Sequence, residues 1–318
     1  MVAGGGPGRA PGGAAGGARS LEALAGALGD LAERDVAIGL LTTYRVGGRA
    51  ALYVEPRDER DLARLAAATR GSDVPVLVLG KGSNLLVADA GWSGLCVHAG
   101  DALGAISFEG SDVRAGAGTP YPVLARRCAA AGLVGMEWAV GIPGSVGGAV
   151  RMNAGGHGAE TSEWLVSAHL LDLASGEERV AAASELELSY RRSAVRPYEL
   201  VTEAVFRLEA GDPDASLERI SEIVRWRREN QPGGQNAGSV FTNPPGDSAG
   251  RLIDEAGLKG LRIGTAAVSE KHANFFQADQ GGSADDVRRL VETVREEVRR
   301  RLGVELAVEL QMVGFAGG

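Results

Sequence analysis

The amino-acid sequence predicts an α+β fold with mixed sheets, built from several consecutive units. Short apolar runs typical of strands alternate with stretches of helical periodicity, and a long amphipathic segment near the C-terminus precedes one last apolar run. The 318 residues are enough for two or three domains of roughly 100–200 residues each. Hydrophobic residues make up 44% and charged residues 23% of the chain, which is ordinary for a globular protein.

Residues 1–19 are mostly Gly, Ala and Pro. They contain no continuous apolar run, so they predict a disordered leader and not a signal peptide. Ser20 then stands where a helix N-cap is expected, before leucines at helical spacing. These leucines are Leu21, Leu24, Leu28 and Leu31.

A first unit over 20–102 has a β-α-β-loop-β order. Its helix is predicted over 56–70, with Leu62 and Leu65 facing inward. The predicted strands and the loop between the last two are Tyr44–Glu55, Val74–Leu79, Gly80–Asn84 (GKGSN) and Leu85–Ala88.

A second unit is predicted over 103–210, with one helix at Tyr121–Ala131. The Gly-rich segment GIPGSVGGAVRMNAGGHG at 141–158 is interpreted as a loop. Strands are expected at Ile106–Phe108, Val113–Ala115, Val166–Asp172, the Tyr190 region and Leu200–Leu208.

A third unit over 211–318 follows the polar stretch AGDPDAS. Its first helix carries Leu217, Ile220, Ile223 and Val224. The last helix is predicted over 283–302, with one apolar face and with Ser283 and Asp286 as a capping box. A strand over 304–313 is expected to close the chain.

Composition and charge exclude several classes of function. The net charge of −8 argues against a nucleic-acid-binding protein, because no basic surface is available to follow phosphates. Cys96 and Cys128 form no CxxC pair or disulfide framework, so buried thiols, no metal site and a reducing cytoplasm are expected. No run of about 18 apolar residues is present, so no membrane insertion is expected.

Glycine is abundant, with 48 residues against 5% aromatic residues. The GKGSN loop lacks the third glycine of the dinucleotide fingerprint, which leaves a tight hairpin or an anion-binding nest of N–H groups beside Lys81. In the 141–158 segment, seven of eighteen residues are glycine, which favours a flat ligand against the main chain. We hypothesise that one dinucleotide binds across both glycine-rich segments, the GKGSN loop and residues 141–158.

Ser239 lies in the stretch GGQNAGSVFTNP, with no His, Lys or Asp within five residues. It could be a turn residue, a nucleophile or an acid. The nucleophile-elbow pattern GxSxG is absent, and no histidine has an obvious Asp partner in the sequence, which disfavours acyl-enzyme chemistry. The histidines are His98, His157, His169 and His272.

From about residue 36 to 315 the chain resembles the UDP-N-acetylenolpyruvoylglucosamine reductase family, flavoenzymes that make UDP-N-acetylmuramate for peptidoglycan. The motifs that carry the resemblance occur in family order and at family spacing. They are TTYRVGGRA (42–50), VLGKGSNLLV (78–87), GAGTPYPVLA (116–125), GIPGSVGGAVRMNAG (141–155), SYRRS (189–193), AGSVFTNP (237–244), LIDEAGLKG (252–260) and SEKHANF (269–275).

The resemblance implies a two-part PCMH-type FAD-binding module, 20–102 and 103–210, followed by a C-terminal α+β substrate-binding domain over 211–318. It implies an NADPH-dependent oxidoreductase that serves peptidoglycan synthesis, and so cell-wall biogenesis, cell shape and cell division. Only eight residues separate Val195 from Ala204, so the shorter subgroup without a tyrosine-bearing insert is expected, as a cytoplasmic monomer.

The implied reaction reduces UDP-N-acetylglucosamine enolpyruvate. NADPH reduces FAD, a hydride then passes from flavin N5 to the enolpyruvyl group, and Ser239 protonates the adjoining carbon. Arg191 stabilises the enolate as a fixed cation, and Glu309 also serves the enol intermediate.

The resemblance also assigns binding residues. Tyr190, Asn243, Lys259 and His272 are expected to hold the UDP-sugar. The residues expected to hold FAD are Gly80, Lys81, Gly82, Ser83, Asn84, Leu85, Gly116, Gly118, Pro143, Gly144, Ser145, Gly147, Gly148, Asn153 and Gly155.

Three departures from the family pattern concern neighbouring positions. Asn230 in ENQP replaces the usual Lys, AVELQ replaces EPEVR around Glu309, and His157 in NAGGHG stands where an aromatic residue normally packs.

Two other interpretations stay open. One is a PCMH-type flavin oxidoreductase with a different substrate, in which a His or Cys often binds the flavin covalently. The other is a nucleotide-binding relative without turnover, which the presence of all the expected catalytic residues argues against.

Overall fold

The computed structural model describes residues 14–316, with side chains from Ser20 onward. Residues 1–13 of the predicted leader lie outside the described residues. The α-helices are α1 Ala14–Leu28, α2 Glu59–Thr69, α3 Tyr121–Ala130, α4 Val146–Met152, α5 Pro213–Asn230, α6 Ala249–Glu255 and α7 Ala284–Leu302.

The strands follow one another through the whole described part of the chain. They are β1 Glu33–Val36, β2 Ala50–Val54, β3 Val76–Leu79, β4 Leu85–Val87, β5 Trp92–His98, β6 Ile106–Glu109, β7 Asp112–Gly116, β8 Leu133–Val134, β9 Gly155–Gly156, β10 Ala159–Glu160, β11 Leu165–Asp172, β12 Glu178–Ala182, β13 Glu199–Arg207, β14 Glu209–Ala210, β15 Arg262–Ile263, β16 Ala266–Val268, β17 Phe276–Ala278 and β18 Gln311–Val313.

The first sheet has the order β1-β2-β5-β3, with β2, β5 and β3 parallel and β1 antiparallel at the edge. Strand β4 does not join it, because β4 pairs in parallel with β18 from the end of the chain. The two strands on either side of GKGSN are therefore not partners, and the hairpin interpretation of that loop is wrong. The C-terminal residues reach back to the first unit at this point.

The second sheet is antiparallel, in the order β12-β11-β13-β7-β6. Helices α3 and α4 pack against it over a large apolar core that is continuous with the core of the first unit. Ile220 and Ile223 of α5 are buried in the same core. Helix α5, which the sequence assigned to the third unit, therefore packs with the second.

The C-terminal part combines the small antiparallel sheet β15-β16-β17 with α6 and α7. The apolar face predicted for α7 is confirmed, because Val287, Leu290, Val291, Val294 and Val298 are all buried. Tyr44 and Leu86 from the first unit are buried in this same core.

The N-terminus of α7 is capped from two sides. The Ser283 side chain accepts from the N–H of Asp286, but the reciprocal bond of the predicted capping box is not formed, because the Ser283 N–H donates to the Thr265 hydroxyl instead. Asp89, beyond β4, accepts from the Ser283 hydroxyl at 2.5 Å and from the N–H groups of Ala284 and Asp285 at 3.0 and 3.2 Å. A carboxylate at this end of a helix satisfies free N–H groups and interacts favourably with the helix dipole.

The elements near the N-terminus differ from the prediction in two places. Helix α1 begins at Ala14, so Ser20 lies inside it and is not its N-cap. The strand expected at Tyr44–Glu55 is shorter, because Arg45 has a φ of +52° and Gly48 packs its Cα against Asp89 and Gly91. Only Ala50–Val54 pairs in the sheet.

Three later segments also differ from their predicted secondary structure. The 141–158 segment contains helix α4 and is not a continuous loop. The Tyr190 region is a tight turn closed by the bridge Ser189–Arg192, with Arg191 at a φ of +57°. Of the expected strand over 304–313, only Gln311–Val313 joins a sheet.

None of the helices within residues 14–316 is long and apolar enough to cross a membrane.

Candidate active site

The loop Gly80–Asn84 presents a row of free main-chain N–H groups. Among residues 14–316, no acceptor receives a hydrogen bond from these groups. Gly82 has a φ of +60°, a conformation in which successive N–H groups converge on an anion. The Nζ of Lys81 is paired with the Asp101 carboxylate. The loop thus has the main-chain donors that a diphosphate needs, and Lys81 reaches such a ligand only by leaving Asp101.

The Gly-rich segment before and within α4 lies directly against this loop. A Cβ atom at Gly80 would overlap Oγ of Ser145, and one at Gly144 would lie 3.2 Å from Oγ of Ser83. The two glycine-rich regions, which are about 60 residues apart, are therefore adjoining walls. One ligand can contact both, as the sequence analysis proposed.

A cleft of about 50 Å³ opens where the two walls meet. Its lining includes Val78 and Gly80 from one side and Gly147 and Gly148 from the other. The hydroxyl oxygens of Ser145, which lines the cleft, and Thr119, beside it, are buried without a hydrogen-bond partner among the described residues. Buried hydroxyl groups are normally satisfied, so these two indicate a place where a polar ligand binds.

Some residues predicted to bind the cofactor have structural contacts instead. A Cβ at Gly116 would overlap the carbonyl of Leu103, and one at Gly118 would overlap the carbonyl of Gly100. Asn153 is fully buried, with its amide donating to Ser189 and accepting from Ser162. These contacts explain the residue types without a ligand, and direct cofactor contacts by them stay a prediction.

Three separate segments bring Ser239, Arg191 and Glu309 to one place. Nε of Arg191 is 3.1 Å from Oε1 of Glu309, and the two side chains are 21% and 15% exposed. The N–H of Glu309 donates to the carbonyl of Val240, which follows Ser239. Asn84 donates from Nδ2 to the Glu309 carbonyl at 3.2 Å, which ties this junction to the loop after β3. Arg191 and Glu309 are therefore in contact beside the predicted diphosphate loop, and the main chain next to Ser239 is bonded to Glu309.

The Glu309 carboxyl group has a perturbed pKa. Burial raises its pKa above the ordinary value of 4.5, and the nearby Arg191 guanidinium acts in the opposite direction. A half-buried carboxyl group with a raised pKa beside a fixed cation is typical of functional sites.

Arg191 is held from several directions. Its Nη2 donates to the carbonyl of Gly155 at 2.8 Å, and its guanidinium carbon lies 4.8 Å from the centre of the Tyr190 ring. Together with the Glu309 contact, these interactions hold the Arg191 guanidinium in one orientation. An arginine side chain without such contacts would be mobile.

The residues predicted to bind the sugar nucleotide lie in the C-terminal part and in the turn before Arg191. Tyr190 is 52% exposed. Asn243 accepts from the N–H of Ala249 at the start of α6, and Nζ of Lys259 is 2.7 Å from the Asp254 carboxylate. Burial, followed by the charge of Lys259, lowers the pKa of His272, so this ring is neutral near pH 7. The charge of Lys259 thus acts on the His272 ring, although no direct contact joins the two side chains among the described residues.

Comparison with known proteins agrees with this geometry. A family model described as an FAD binding domain matches residues 50–181, and the model for the C-terminal domain of UDP-N-acetylenolpyruvoylglucosamine reductase matches residues 230–313. The UDP-N-acetylenolpyruvoylglucosamine reductase of Rubrobacter xylanophilus is 45% identical over 275 residues, which are 86% of this chain and 92% of the relative. The chain belongs to the UDP-N-acetylenolpyruvoylglucosamine reductase family.

Other members of this reductase family support the assignment. The reductase of Synechococcus sp. strain WH7803 is 43% identical, covering 89% of this chain and 93% of its own length. The crystal structure of the Thermus caldophilus family member (MurB) superposes with a TM-score of 0.77 at 38% identity, covering 88% of this chain and 98% of that one. The predicted α+β fold, with an FAD-binding domain followed by a family-specific C-terminal domain, is confirmed.

As a member of this reductase family the chain is an FAD-containing oxidoreductase, and its residues fit that cofactor. The free N–H groups of Gly80–Asn84 suit the diphosphate. The unpartnered hydroxyl groups of Ser145 and Thr119 offer polar contacts in the adjoining cleft. A side chain at Gly80 would fill the space between these two sets of groups.

Thr119 is a further candidate for a ligand contact that was not predicted from the sequence, although it lies in the family motif GAGTPYPVLA. The residue is 1% exposed, its hydroxyl has no partner among the described residues, and its carbonyl accepts from the N–H of Val146 at the start of α4. A threonine between glycines and a proline is an ordinary turn residue in sequence, so only its burial marks it. In the sequence, only its position in this motif could have indicated that Thr119 lies near the cofactor.

The structure also bears on a covalent flavin link in the first unit. Cys96 is fully buried, and burial raises the pKa of its thiol to about 12. Nδ1 of His98 is 2.7 Å from the Tyr53 hydroxyl and 3.1 Å from the Glu55 carboxylate. Both side chains have protein contacts, which argues against the interpretation as an oxidase with a His- or Cys-linked flavin.

Proposed function

We propose that this chain reduces the enolpyruvyl ether of UDP-N-acetylglucosamine enolpyruvate to the lactyl ether of UDP-N-acetylmuramate, with NADPH as the electron source. The observation that carries the proposal is the meeting of Ser239, the Arg191–Glu309 ion pair and the loop after β3 at one junction. When bound, FAD that has been reduced by NADPH supplies the hydride. The residues of this chain bind the substrate, orient it and manage its charge and proton.

Arg191 is proposed to stabilise the charge that develops on the substrate. After hydride addition the enolpyruvyl group has enolate character next to its own carboxylate. A guanidinium group that is already oriented by Glu309 and the Gly155 carbonyl loses little entropy in binding these oxygen atoms.

Ser239 is proposed to donate the proton to the enolate carbon. Its side chain is half-buried, and its hydroxyl makes no hydrogen bond to any residue within 14–316, so it is free to point at a ligand. A serine hydroxyl is a weak acid, but an enolate is a strong base, so position within hydrogen-bond reach decides the transfer.

Glu309 is proposed to have two roles. As a carboxylate it orients Arg191, and its raised pKa also makes a protonated form accessible near the enol oxygen. In that form it donates a hydrogen bond to the enolate. Because the two roles need different protonation states, the reaction is expected to depend on pH.

The nucleotide end of the substrate is proposed to bind across Tyr190, Asn243, Lys259 and His272. Lys259 and His272 lie close enough for the lysine charge to affect the pKa of the histidine. The Asp254 carboxylate holds Lys259 until a phosphate replaces it. Tyr190 is exposed and its ring lies beside the Arg191 guanidinium, where a ligand held by Arg191 can contact it.

We also propose that the chain acts as a cytoplasmic monomer. Both cysteines are free and buried, which suits a reducing compartment. Arg191 contacts Glu309, and Glu309 contacts the main chain beside Ser239, within one chain, which suits a monomer. The division at 20–102, 103–210 and 211–318 stays our proposal, with the qualification that α5 packs with the second unit.

Ser239→Ala tests the proposal. Reduction of the flavin by NADPH should proceed at the wild-type rate, and reoxidation by the enolpyruvyl substrate should slow by roughly 10²–10⁴-fold, because only the second half-reaction needs the proton. Stopped-flow absorbance of the flavin measures both half-reactions separately.

Ser239→Cys is the matched variant, because a thiol can also donate a proton. It should reoxidise faster than Ser239→Ala. Wild-type rates in both half-reactions of Ser239→Ala would show that the hydroxyl is not the acid.

A further inference from the structure

The hairpin of β9 and β10 carries a side chain that the proposed chemistry does not use, His157. The hairpin pairs Gly156 with Ala159 and Gly155 with Glu160. His157 and Gly158 form its turn, with φ values of +56° and +88°. Two consecutive left-handed residues suit a tight hairpin turn, but a histidine there is strained where Gly or Asn would not be. A favourable contact of the imidazole ring is the expected compensation.

The ring of His157 has such a contact. Its centroid is 5.2 Å from that of Trp226 on α5, with the ring planes at 85°. On its other side, a Cβ atom at Gly141 would lie 2.9 Å from the imidazole, so only a glycine leaves room for it. The imidazole is therefore wedged between α5 and the residues that precede α4, in an edge-to-face arrangement that is favourable for aromatic rings.

The base of the same hairpin contacts Arg191. The Gly155 carbonyl accepts from Nη2 of Arg191 at 2.8 Å, and a Cβ at Gly155 would lie 3.2 Å from Nη1. Among residues 14–316, this carbonyl is the acceptor that Nη2 uses, while Nε faces Glu309. The direction of the guanidinium therefore depends on where the hairpin lies.

We propose that His157 is a positioning residue for the reduction, because its ring docks the β9–β10 hairpin on α5 and the hairpin in turn aims Arg191 at the reacting group. The inference rests on the proposed function. His157 touches neither the substrate nor the reacting atoms in this scheme. It acts through the Gly155 carbonyl, about two residues away along the strand.

The charge around His157 fits a docking contact made by a neutral ring. Burial, then the charges of Arg227 and Arg219 on α5, lower the pKa of His157 below its ordinary value of 6.5. Because the folded-state pKa is lowered, the contact is complete above pH 6.5 and weakens as the pH falls toward the lowered value. Protonation would add a positive charge beside the two arginines.

The test compares His157→Ala and His157→Phe as FAD holoenzymes in stopped-flow experiments. In His157→Ala, flavin reoxidation by the enolpyruvyl substrate should slow by roughly 10- to 100-fold, the effect of a small misplacement of a catalytic group. Flavin reduction by NADPH and the KM for NADPH should stay unchanged. His157→Phe keeps an aromatic ring and should retain a rate close to wild type, without the loss toward acid pH. His169→Ala on β11 is the matched control.

A second measurement follows the docking without activity. The chain has four histidines, so the His157 side chain can be assigned by NMR from the signal that His157→Ala lacks. Its titration midpoint should lie below 6.5 in the wild type and move toward 6.5 in Trp226→Ala.

Two results would overturn the proposal. One is wild-type reoxidation in His157→Ala. The other is a His157→Phe variant as slow as His157→Ala, which would mean that the imidazole acts by its own chemistry. If the wild-type flavin is not reoxidised by the sugar nucleotide at all, the proposed function fails. The Trp226-dependent titration then still decides whether the docking exists.

Discussion

Arg191 illustrates how much of this site depends on the surroundings of a single residue. In SYRRS it is one of two adjacent arginines, and without the family resemblance the sequence favours a surface ion pair over a catalytic cation. In the structure it has a φ of +57° and contacts Glu309, Gly155 and the Tyr190 ring. Strained backbone at a residue with this many directed contacts is common at functional sites.

Glu309→Gln should change how stability depends on pH. Because the pKa of Glu309 is raised in the folded protein, its stabilising contribution is complete below the unfolded value of 4.5 and is lost as the pH rises through the folded value. Glutamine does not titrate. The melting temperature of the wild type minus that of Glu309→Gln should therefore fall as the pH increases from about 4.

Thermal unfolding of both proteins at a series of pH values measures this difference. Arg191→Ala serves as the comparison, because removing the cation should raise the pKa of Glu309 further. A difference that is constant across the pH range would contradict the raised pKa.

Gly80→Ala should weaken flavin binding by blocking the cleft. The new Cβ would overlap Oγ of Ser145, so either this hydroxyl group must rotate or the loop must move away from the segment that leads into α4, and both changes alter the wall of the cleft. Purified protein should contain less FAD, as measured by absorbance after heat release. Gly26→Ala in α1, where nothing lies within 4 Å, is the control and should stabilise the helix by up to about 1 kcal/mol.

The double variant Gly80→Ala/Ser145→Ala separates sterics from ligand contact. Removing Oγ leaves only Cβ of Ser145, 3.6 Å from the new methyl group, which is an ordinary contact. The melting temperature of the apoprotein should be higher in the double variant than in Gly80→Ala. No recovery would mean that the clash is not the cause.

At the scale of the elements, the most informative contact is the capping of α7 by Asp89. The helix brings its own cap, Ser283, but the carboxylate comes from a residue nearly 200 positions earlier. The interaction fastens the first unit to the C-terminal part close to the pairing of β4 with β18.

Asp89→Asn should lower the free energy of unfolding by about 1–2 kcal/mol, through loss of a charged acceptor at a helix N-terminus. Urea denaturation followed by circular dichroism measures it. Asp73→Asn, at an exposed position before β3, is the matched control and should have no measurable effect. Equal stability of the wild type and Asp89→Asn would show that the cap adds nothing beyond Ser283.

The elements also show what could be predicted from periodicity. The predictions of α2, α3 and α7 and of most strands of the second unit agree with the structure to within a few residues, because burial of one face repeats in their sequences. The segment that forms α4 was wrongly predicted to be a loop, because VGGAVRM contains two glycines, which disfavour a helix. The prediction was also wrong for 304–310, which runs extended beside Val240–Thr242 without forming a continuous ladder.

At the scale of the whole molecule, the units share cores and strands and do not form separate globules. Ile220 and Ile223 of α5 lie in the large core of the first two units, while Tyr44 and Leu86 lie in the core of the C-terminal part. A ligand bound in the cleft between the Gly80–Asn84 loop and the segment before α4 should therefore stabilise all three units together.

Removal of FAD should therefore lower the melting temperature of the whole chain in one cooperative transition. A ligand that binds only the folded state adds about 2.7 kcal/mol at a concentration 100 times its Kd. Calorimetry of the apoprotein with increasing FAD should show a rising melting temperature. Two transitions, of which only one responds to FAD, would show that the C-terminal part folds independently.

The amino-acid sequence by itself determined the family and the class of the fold. It also identified Ser239, Arg191 and Glu309 as the residues to examine, because the order and spacing of motifs are properties of the sequence alone. Only the tertiary structure decided that β4 pairs with β18 and not with β3, that Asp89 caps α7, that Thr119 is buried without a partner and that His157 docks on Trp226. These are contacts between distant parts of the chain. Their energy depends on distance, burial and direction in space, and none of these quantities is present in local periodicity.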